Sequence, residues 1–352
     1  MLRKSVLRGI FGESITNKLN DIRMKKVLCF GEILLRLQAV GNSFFEKDRN
    51  QLQVFPGGSE ANVASGLAQM GTSTAYCSAF PDNLLSTEIQ EQLQMLGVDT
   101  SKSLSFGDRI GSYILLSANG LSKGEVIYDR RYSSFSQLTL EDIHFDQLFE
   151  GIDWFHWTAL SPALNENVAE LIEPILKEAK KRDITISVDL NYRSKLWQYG
   201  QEPIEIMPDL VAYCDVVMGN IWAANKMLGT YVDPTLDRQT SSVDYFEAAK
   251  QSAAEIFSLF PSVQHVANTF RFIDNPQHNL FYGTYHNRSE DTLSTIYETH
   301  EVIDRIGSGD AFMAGLIHAL ITDATPQQVV DIATGAGYQK LFVAGDFGNG
   351  KY

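Results

Sequence analysis

The chain has 352 residues, 44% of them hydrophobic and 20% charged, a globular balance that excludes disorder for most of its length and supports a sizeable core. With 29 basic against 43 acidic residues the formal charge is −14, so a broad phosphate-backbone-binding surface is excluded and any anionic ligand must meet placed cations or helix N-termini. Cys29, Cys77 and Cys214 are too scattered for a disulfide or metal framework, and no apolar run reaches the roughly 18 residues that span a bilayer.

Residues 1–23 carry five basic residues and little periodic pattern; they read as a flexible extension, or as sequence ahead of a start at Met24, with no hydrophobic signal core. A cytoplasmic setting is therefore expected. The first strand is Val27–Phe30. Leu34–Gln38 and Gln51–Phe55 are short β runs close to turn residues. Pro56-Gly-Gly-Ser-Glu-Ala-Asn-Val-Ala64 then opens a helix that ends at Gly71. Gly57 and Gly58 there permit close backbone approach to a ligand, and the Asn62 amide can both donate to and accept from sugar hydroxyls.

Thr74–Ser78 reads as a strand and Thr87–Leu96 as a helix, capped by Ser86 before it and Gly97 after it. Tyr113–Leu116 and Glu125–Tyr128 are again short β runs. Trp154–Trp157 is a strand whose tryptophans are expected in the core, and Asn165–Lys181 is a helix ending in the basic residues its dipole favours. Ile184–Val188 leads into Asp189 and Asn191, which either help organise magnesium at a strand end or cap a turn. Val216–Met218 is a further strand. This alternation implies a parallel sheet covered on both faces. Leu34–Gln38, Gln51–Phe55, Tyr113–Leu116 and Glu125–Tyr128 stand outside it, and are expected to form a small antiparallel sheet, a lid over a site at the carboxyl ends of the parallel strands.

Near the C-terminus, Asp304-Arg-Ile-Gly-Ser-Gly-Asp310 runs into the apolar helix 311–321. Gly307 and Gly309 allow a tight turn whose N–H groups converge at a positive helix end, an anion cradle suited to a transferring phosphoryl group. Asp310 projects into the cradle, placed to take a proton from an attacking hydroxyl. Taken alone, such a turn is equally a Gly-rich helix start capped by its Asp. There is no Walker lysine and no dinucleotide GxGxxG. The seven histidines show no HExxH or other tight ligand spacing, so no protein-held zinc is expected.

Together, the double-glycine turn with Asn62 and the GxGD turn resemble the PfkB or ribokinase-like carbohydrate kinases, from Met24 to about Phe347. The resemblance implies a ribokinase-like three-layer α/β/α core with a mostly parallel central sheet and a small β-strand lid, spanning 24–352. It also implies ATP and Mg²⁺, transfer of the γ-phosphoryl group to a sugar hydroxyl, Asp310 as general base, and the Gly307, Ser308 and Gly309 amides as anion hole. A homodimer through the β lid is the assembly it allows.

Gly31-Glu32, Tyr128-Asp-Arg130, the stretch from Asp189 to Trp197, and Gly345-Asp-Phe347 are similar to one branch, the 2-keto-3-deoxygluconate kinases. That similarity implies substrate contacts from Arg193, Tyr128 and Arg130, with Tyr113 a further contact. An Arg fork suits the carboxylate of a sugar acid, although each Arg could equally serve a surface ion pair. Relatives carry Asn-x-x-Glu where this chain reads Asn220-Ile-Trp-Ala223, so Asn191 and Asn220 are expected to act through water on metal arriving with ATP. Arg305-Ile306 stands in place of a small hydroxyl pair, and the nucleotide loop expected near Val266 reads 267–272 without its glycine. Two rivals remain: a fructokinase-like kinase of a neutral ketose, and a sugar-binding pseudokinase, against which retention of Gly307, Gly309 and Asp310 argues. Neither a nucleic acid nor a membrane is an expected partner.

Overall fold

The computed structural model describes residues 24–40, 51–116 and 125–352; the expected extension 1–23 lies outside them. In chain order the strands are β1 Lys26–Phe30, β2 Leu34–Ala39, β3 Leu52–Gly57, β4 Ser73–Cys77, β5 Ala79–Phe80, β6 Leu104–Ser105, β7 Gly111–Leu115, β8 Val126–Asp129, β9 Trp154–Thr158, β10 Thr185–Asp189, β11 Val216–Met218, β12 His265–Phe272, β13 Asn279–Asn287, β14 Asp291–Leu293 and β15 Tyr297–Thr299. The helices that matter for the site are α1 Ser59–Gln69, α2 Leu84–Met95, α3 Phe145–Phe149, α4 Glu166–Lys181, α5 Pro203–Val211, α6 Ile221–Leu228, α7 Ser242–Leu259, α8 Ser308–Ile321 and α9 Pro326–Lys340.

The main sheet runs β14-β13-β12-β11-β10-β9-β1-β4, with β15 on β13. From β4 to β12 neighbouring strands are parallel, whereas β13 to β15 pair antiparallel. Side chains alternate between the two faces of a strand. In β1, Leu28 and Phe30 join one buried cluster, with α4, α5 and α6, while Val27 and Cys29 join another, with α1, α2, α8 and α9. An unbroken apolar run is thus what a strand covered on both sides requires, and the result is three layers, α/β/α. Trp157 is fully buried, and Trp154 donates from its indole N–H to Ser187 Oγ (2.8 Å), both inside the core. All three cysteines are buried free thiols.

Local signals explain most boundaries. Asn165 caps α4 by accepting from Val168 N–H (3.0 Å), and Lys180 and Lys181 sit in its last turn. Helix α2 starts earlier than its sequence suggested. Asn83, rather than Ser86, is the cap, because its Oδ1 accepts from Ser86 N–H (3.0 Å). Among the described residues, no helix is long and apolar enough to cross a membrane.

The second sheet has the order β3-β2-β7-β8. It is mixed rather than antiparallel: β2 pairs parallel with β7, because the intervening chain crosses through β4 and α2 before returning. Its register lines up Val54, Leu37, Ile114 and Ile127 in one cross-strand row, with Val54 and Ile127 exposed.

A buried charge network attaches this sheet to the C-terminal part of the chain. The fully buried Arg36 guanidinium of β2 gives Nη1 and Nη2 to Asp304 (3.2 and 2.7 Å), and its Nε lies 2.9 Å from Asp346 Oδ1. Tyr113 of β7 donates to Asp346 Oδ2 (3.0 Å), and Asp304 also receives the N–H groups of Ile306 and Gly345. Phe55 of β3 stacks on the guanidinium at 4.4 Å. Burial pushes the Asp346 carboxyl up to about 7 even though Arg36 pulls it down.

Removing one partner of such a pair leaves an uncompensated buried charge, at a cost of about 3–5 kcal/mol. Arg36→Met should therefore lose stability of that order in urea unfolding, and lose less at about pH 5 than at about pH 8, because protonating Asp346 removes the stranded charge. A loss below about 1 kcal/mol at both pH values would mean that the network does not hold the sheet.

Candidate active site

Beyond the carboxyl ends of β9, β10 and β11 lies a cavity of about 410 Å³, closed on one side by the second sheet. This is the crevice where open α/β sheets bind ligands, at the point where the strand order departs from β1 in both directions. It brings together almost every residue singled out in the sequence. Gly58, Asn62, Tyr113, Tyr128, Arg130, Asn191, Arg193, Asn220, Gly307, Ser308, Gly309 and Asp310 all line it. Gly57 lies just outside, pressed against the network: a Cβ there would stand 2.4 Å from the Asp346 carboxylate.

Asp310, on the first turn of α8, is buried, and its two oxygens accept from Ser59 Oγ (2.6 Å) and Asn62 Nδ2 (2.7 Å). Helices α1 and α8 pack side by side, so the two sequence motifs form one site. Burial raises the Asp310 pKa above the usual carboxylate range, against the pull of those two hydrogen bonds and of Arg193. Asn62 Oδ1 is buried without a partner, an acceptor that a substrate hydroxyl would satisfy.

The anion cradle depends on backbone shape. Gly307 has φ +80°, and a Cβ on it would come within 2.3 Å of the Asp346 carbonyl oxygen, so only glycine fits. The first helical bond is Ala311 N–H to Gly307 O (2.8 Å), and Ser308 N–H turns back to the Arg305 carbonyl (3.3 Å), so of the expected Gly307, Ser308 and Gly309 amides Ser308 is already engaged, and Gly309 is joined by Asp310 at the open end of α8. A Cβ on Gly309 would meet nothing within 4 Å. That space, at a positive helix end, suits a phosphoryl group.

Asp189 ends β10 with its carboxylate buried, accepts from Asn191 N–H (3.0 Å), and is pushed up to about 7 by burial and by the nearby Asp310 charge. The turn is tight, with Asn191 at φ +27°, and the Asn191 amide donates to Ser59 Oγ (3.2 Å). Glu60, inside the Gly57-Gly58 motif, is buried and accepts from Thr158 N–H (3.1 Å) and Oγ1 (2.6 Å), fixing α1 to the end of β9.

The cations divide into two kinds. Arg130 is buried with its Nε 2.5 Å from Glu32 Oε2, while Ser133 donates to the other Glu32 oxygen, so its charge is matched inside the protein. Arg193 is exposed to the cavity and donates to the Tyr192 carbonyl (2.9 Å). Among the described residues it makes no ion pair. The Tyr113 hydroxyl is committed to Asp346, and Tyr128 stands 6.4 Å from it ring to ring.

Two features escaped the sequence reading. Arg271, on β12, reaches the cradle and donates to Ser308 Oγ (3.0 Å). It was hidden because 267–272 departs from the expected nucleotide loop and continues instead as one long strand paired with β13. The role of Ser59 inside its motif was also unassigned; its spacing of three from Asn62 places both side chains over one helix face. The Asn220 side chain caps α6 by accepting from Ala223 N–H (2.8 Å), and Ala223 is buried in the core, so a glutamate at that position would enter packed apolar surroundings.

Residues 24–255 match the family model described as pfkB family carbohydrate kinase. The 2-dehydro-3-deoxygalactonokinase of Haloferax volcanii is 25% identical over 324 residues, 91% of this chain and 92% of its own. The 2-dehydro-3-deoxygluconokinase of Bacillus subtilis is 24% identical over 291 residues, 82% of this chain and 81% of its own. The crystal structure of 2-dehydro-3-deoxygluconokinase from Thermotoga maritima has a TM-score of 0.83 at 31% identity, covering 93% of this chain and 95% of that one. A match across two thirds of the sequence, joined to a shared fold over nearly its whole length, places the chain in the pfkB family of carbohydrate kinases, and it is a sugar kinase.

Proposed function

We propose that the protein transfers the γ-phosphoryl group of ATP to a hydroxyl of a 2-keto-3-deoxy sugar acid, 2-keto-3-deoxygluconate foremost, with Asp310 as general base. The observation that carries this is Arg193, a cation in no ion pair among the described residues, on the wall of the cavity that holds Asp310 and near enough to pull on its charge. In a protein of charge −14 only a placed cation makes room for an anionic substrate. The names of the similar relatives agree, since the substrates they state carry that carboxylate.

In this reading the acceptor hydroxyl lies between Asp310 and the cradle. Its proton passes to Asp310 as its oxygen bonds the γ-phosphorus, and the bond from that phosphorus to the bridging oxygen breaks, ADP leaving with the electron pair. Ser59 and Asn62 hold the carboxylate in place. The Gly309 and Asp310 amides and Arg271 face the charge on the phosphoryl oxygens. The donor set suits Mg²⁺, with Asp189 and, through water, Asn191 and Asn220 as oxygen ligands alongside the ATP phosphates. When bound, the ion would neutralise phosphate charge. A cytoplasmic location belongs to the same proposal.

Asp310→Asn should keep sugar and nucleotide binding yet lose roughly 10²- to 10⁴-fold in kcat. Because Asp310 must be ionised to act and burial raises its pKa, wild-type kcat should fall as pH drops through a value above the ordinary carboxylate range. The variant should lack that acidic limb. Near wild-type turnover in Asp310→Asn would remove it from the role.

The two exposed arginines should separate in steady-state kinetics. Arg193→Ala is expected to raise KM for the sugar acid by about ten- to a hundredfold with KM for ATP nearly unchanged, the size of a lost charged hydrogen bond. Arg271→Ala should do the reverse. If Arg193→Ala leaves the sugar KM in place, the carboxylate is bound elsewhere.

A further inference from the structure

The antiparallel register of β13 and β15 pairs Asn279 with Thr299 and Leu280 with Glu298. One step further along the same ladder sets His278 opposite His300, and the two-residue side-chain period puts Glu298 and His300 on one face. His278 thereby converges with two potential ligands, Glu298 and His300, twenty and twenty-two residues further along the chain. His278 Nε2 lies 2.9 Å from Glu298 Oε1, and the His278 and His300 rings are 4.9 Å apart. The three ligand atoms all lie within 4.8 Å of one another. None of them lines the active-site cavity.

The cluster is asymmetric in a way that suits a metal. His278 is buried, while Glu298 and His300 are exposed and able to swing. Tetrahedral bonds of about 2.0–2.1 Å separate ligand atoms by roughly 3.4 Å, so closing the cluster takes movements of about 1.5 Å at the two exposed residues. Behind His278, Nδ1 accepts from Asp274 N–H (3.2 Å) and lies 3.3 Å from Asp274 Oδ2. That carboxylate is held in turn by both arms of Arg238 (2.8 Å each). With Nδ1 accepting, the ring proton sits on Nε2 and faces Glu298; metal on Nε2 would displace it and leave the proton on Nδ1, which would exchange the Asp274 N–H for Asp274 Oδ2, a carboxylate placed to hold that tautomer.

We propose that His278, Glu298 and His300 form a three-ligand site for a divalent transition metal of the zinc class, with water completing the coordination. Two imidazoles and one carboxylate favour zinc, cobalt or nickel over magnesium or calcium, which prefer all-oxygen sets. The site is also tied to the catalytic turn, since Arg305, two residues before Gly307, donates from Nη2 to the His278 carbonyl (2.8 Å).

The test uses the full chain without any histidine tag, stripped with a chelator and titrated with CoCl₂ by visible absorption and with ZnCl₂ by calorimetry. One equivalent should bind, the cobalt spectrum should show a low-symmetry four- or five-coordinate ion, and millimolar MgCl₂ should not compete. His300→Ala and Glu298→Gln alter exposed side chains, so both should fold as judged by circular dichroism, and each should weaken binding at least tenfold. Absence of saturable binding below about 10⁻⁴ M would overturn the proposal, as would binding that is equally tight in both variants.

Discussion

One buried guanidinium, that of Arg36, holds the architecture of the cavity together. It lies between Asp304, at the head of the turn that leads to Asp310, and Asp346, near the C-terminus, while its own strand belongs to the second sheet. Taking three charges out of water is costly, and the arrangement is sustained by Tyr113, by two backbone N–H groups on Asp304 and by the face of Phe55. Because the groups are so tightly placed, the backbone around them must be thin. Gly57 lies against the Asp346 carboxylate and Gly307 against the Asp346 carbonyl, where any side chain would collide. The sheet, the anion cradle and the C-terminal loop are therefore positioned by one network.

Within that frame the cavity balances opposing charges. Asp189, Asp310 and Asp346 are all pushed upward by burial, and Asp189 is pushed further by Asp310. Carboxylates so raised oppose folding when they ionise, since each releases in the native state a proton it would have lost more readily in the unfolded chain. Keeping Asp189 and Asp310 together makes chemical sense if cations enter with the substrates. Arg193 and Arg271, exposed on the cavity wall, and the open amides of α8 supply the complementary positive field. Arg130 differs, because Glu32 neutralises it within the protein, so the proposed function gives discrimination for a carboxylate to Arg193.

How much of this was legible from sequence depended on whether a signal was local. The run Val27–Phe30 announced a strand buried on both faces, and the Gly57-Gly58 and Gly307–Asp310 turns announced close backbone approach, because sterics act within a few residues. Packing of α1 against α8, which makes Ser59 and Asn62 the partners of Asp310, is a long-range fact that no local signal in the sequence announces. The mixed pairing of the second sheet was misjudged because short β runs do not reveal direction. Arg271 was missed because extending β12 replaced the expected glycine loop. The histidines gave no metal spacing because His278 and His300 meet across strands rather than along one helix.

Substrate charge, set by Arg193 in the same cavity as Asp310, is the central claim, and a coupled ADP-release assay on the wild-type protein with ATP and magnesium tests it most directly. Measured side by side, 2-keto-3-deoxygluconate should give a kcat/KM at least about a hundredfold above that for fructose or ribose, the discrimination expected when a charged hydrogen-bonding contact goes unmet. A higher kcat/KM on the neutral sugars would contradict the assignment of the sugar acid, and no ADP release with any sugar would contradict the catalytic role of Asp310.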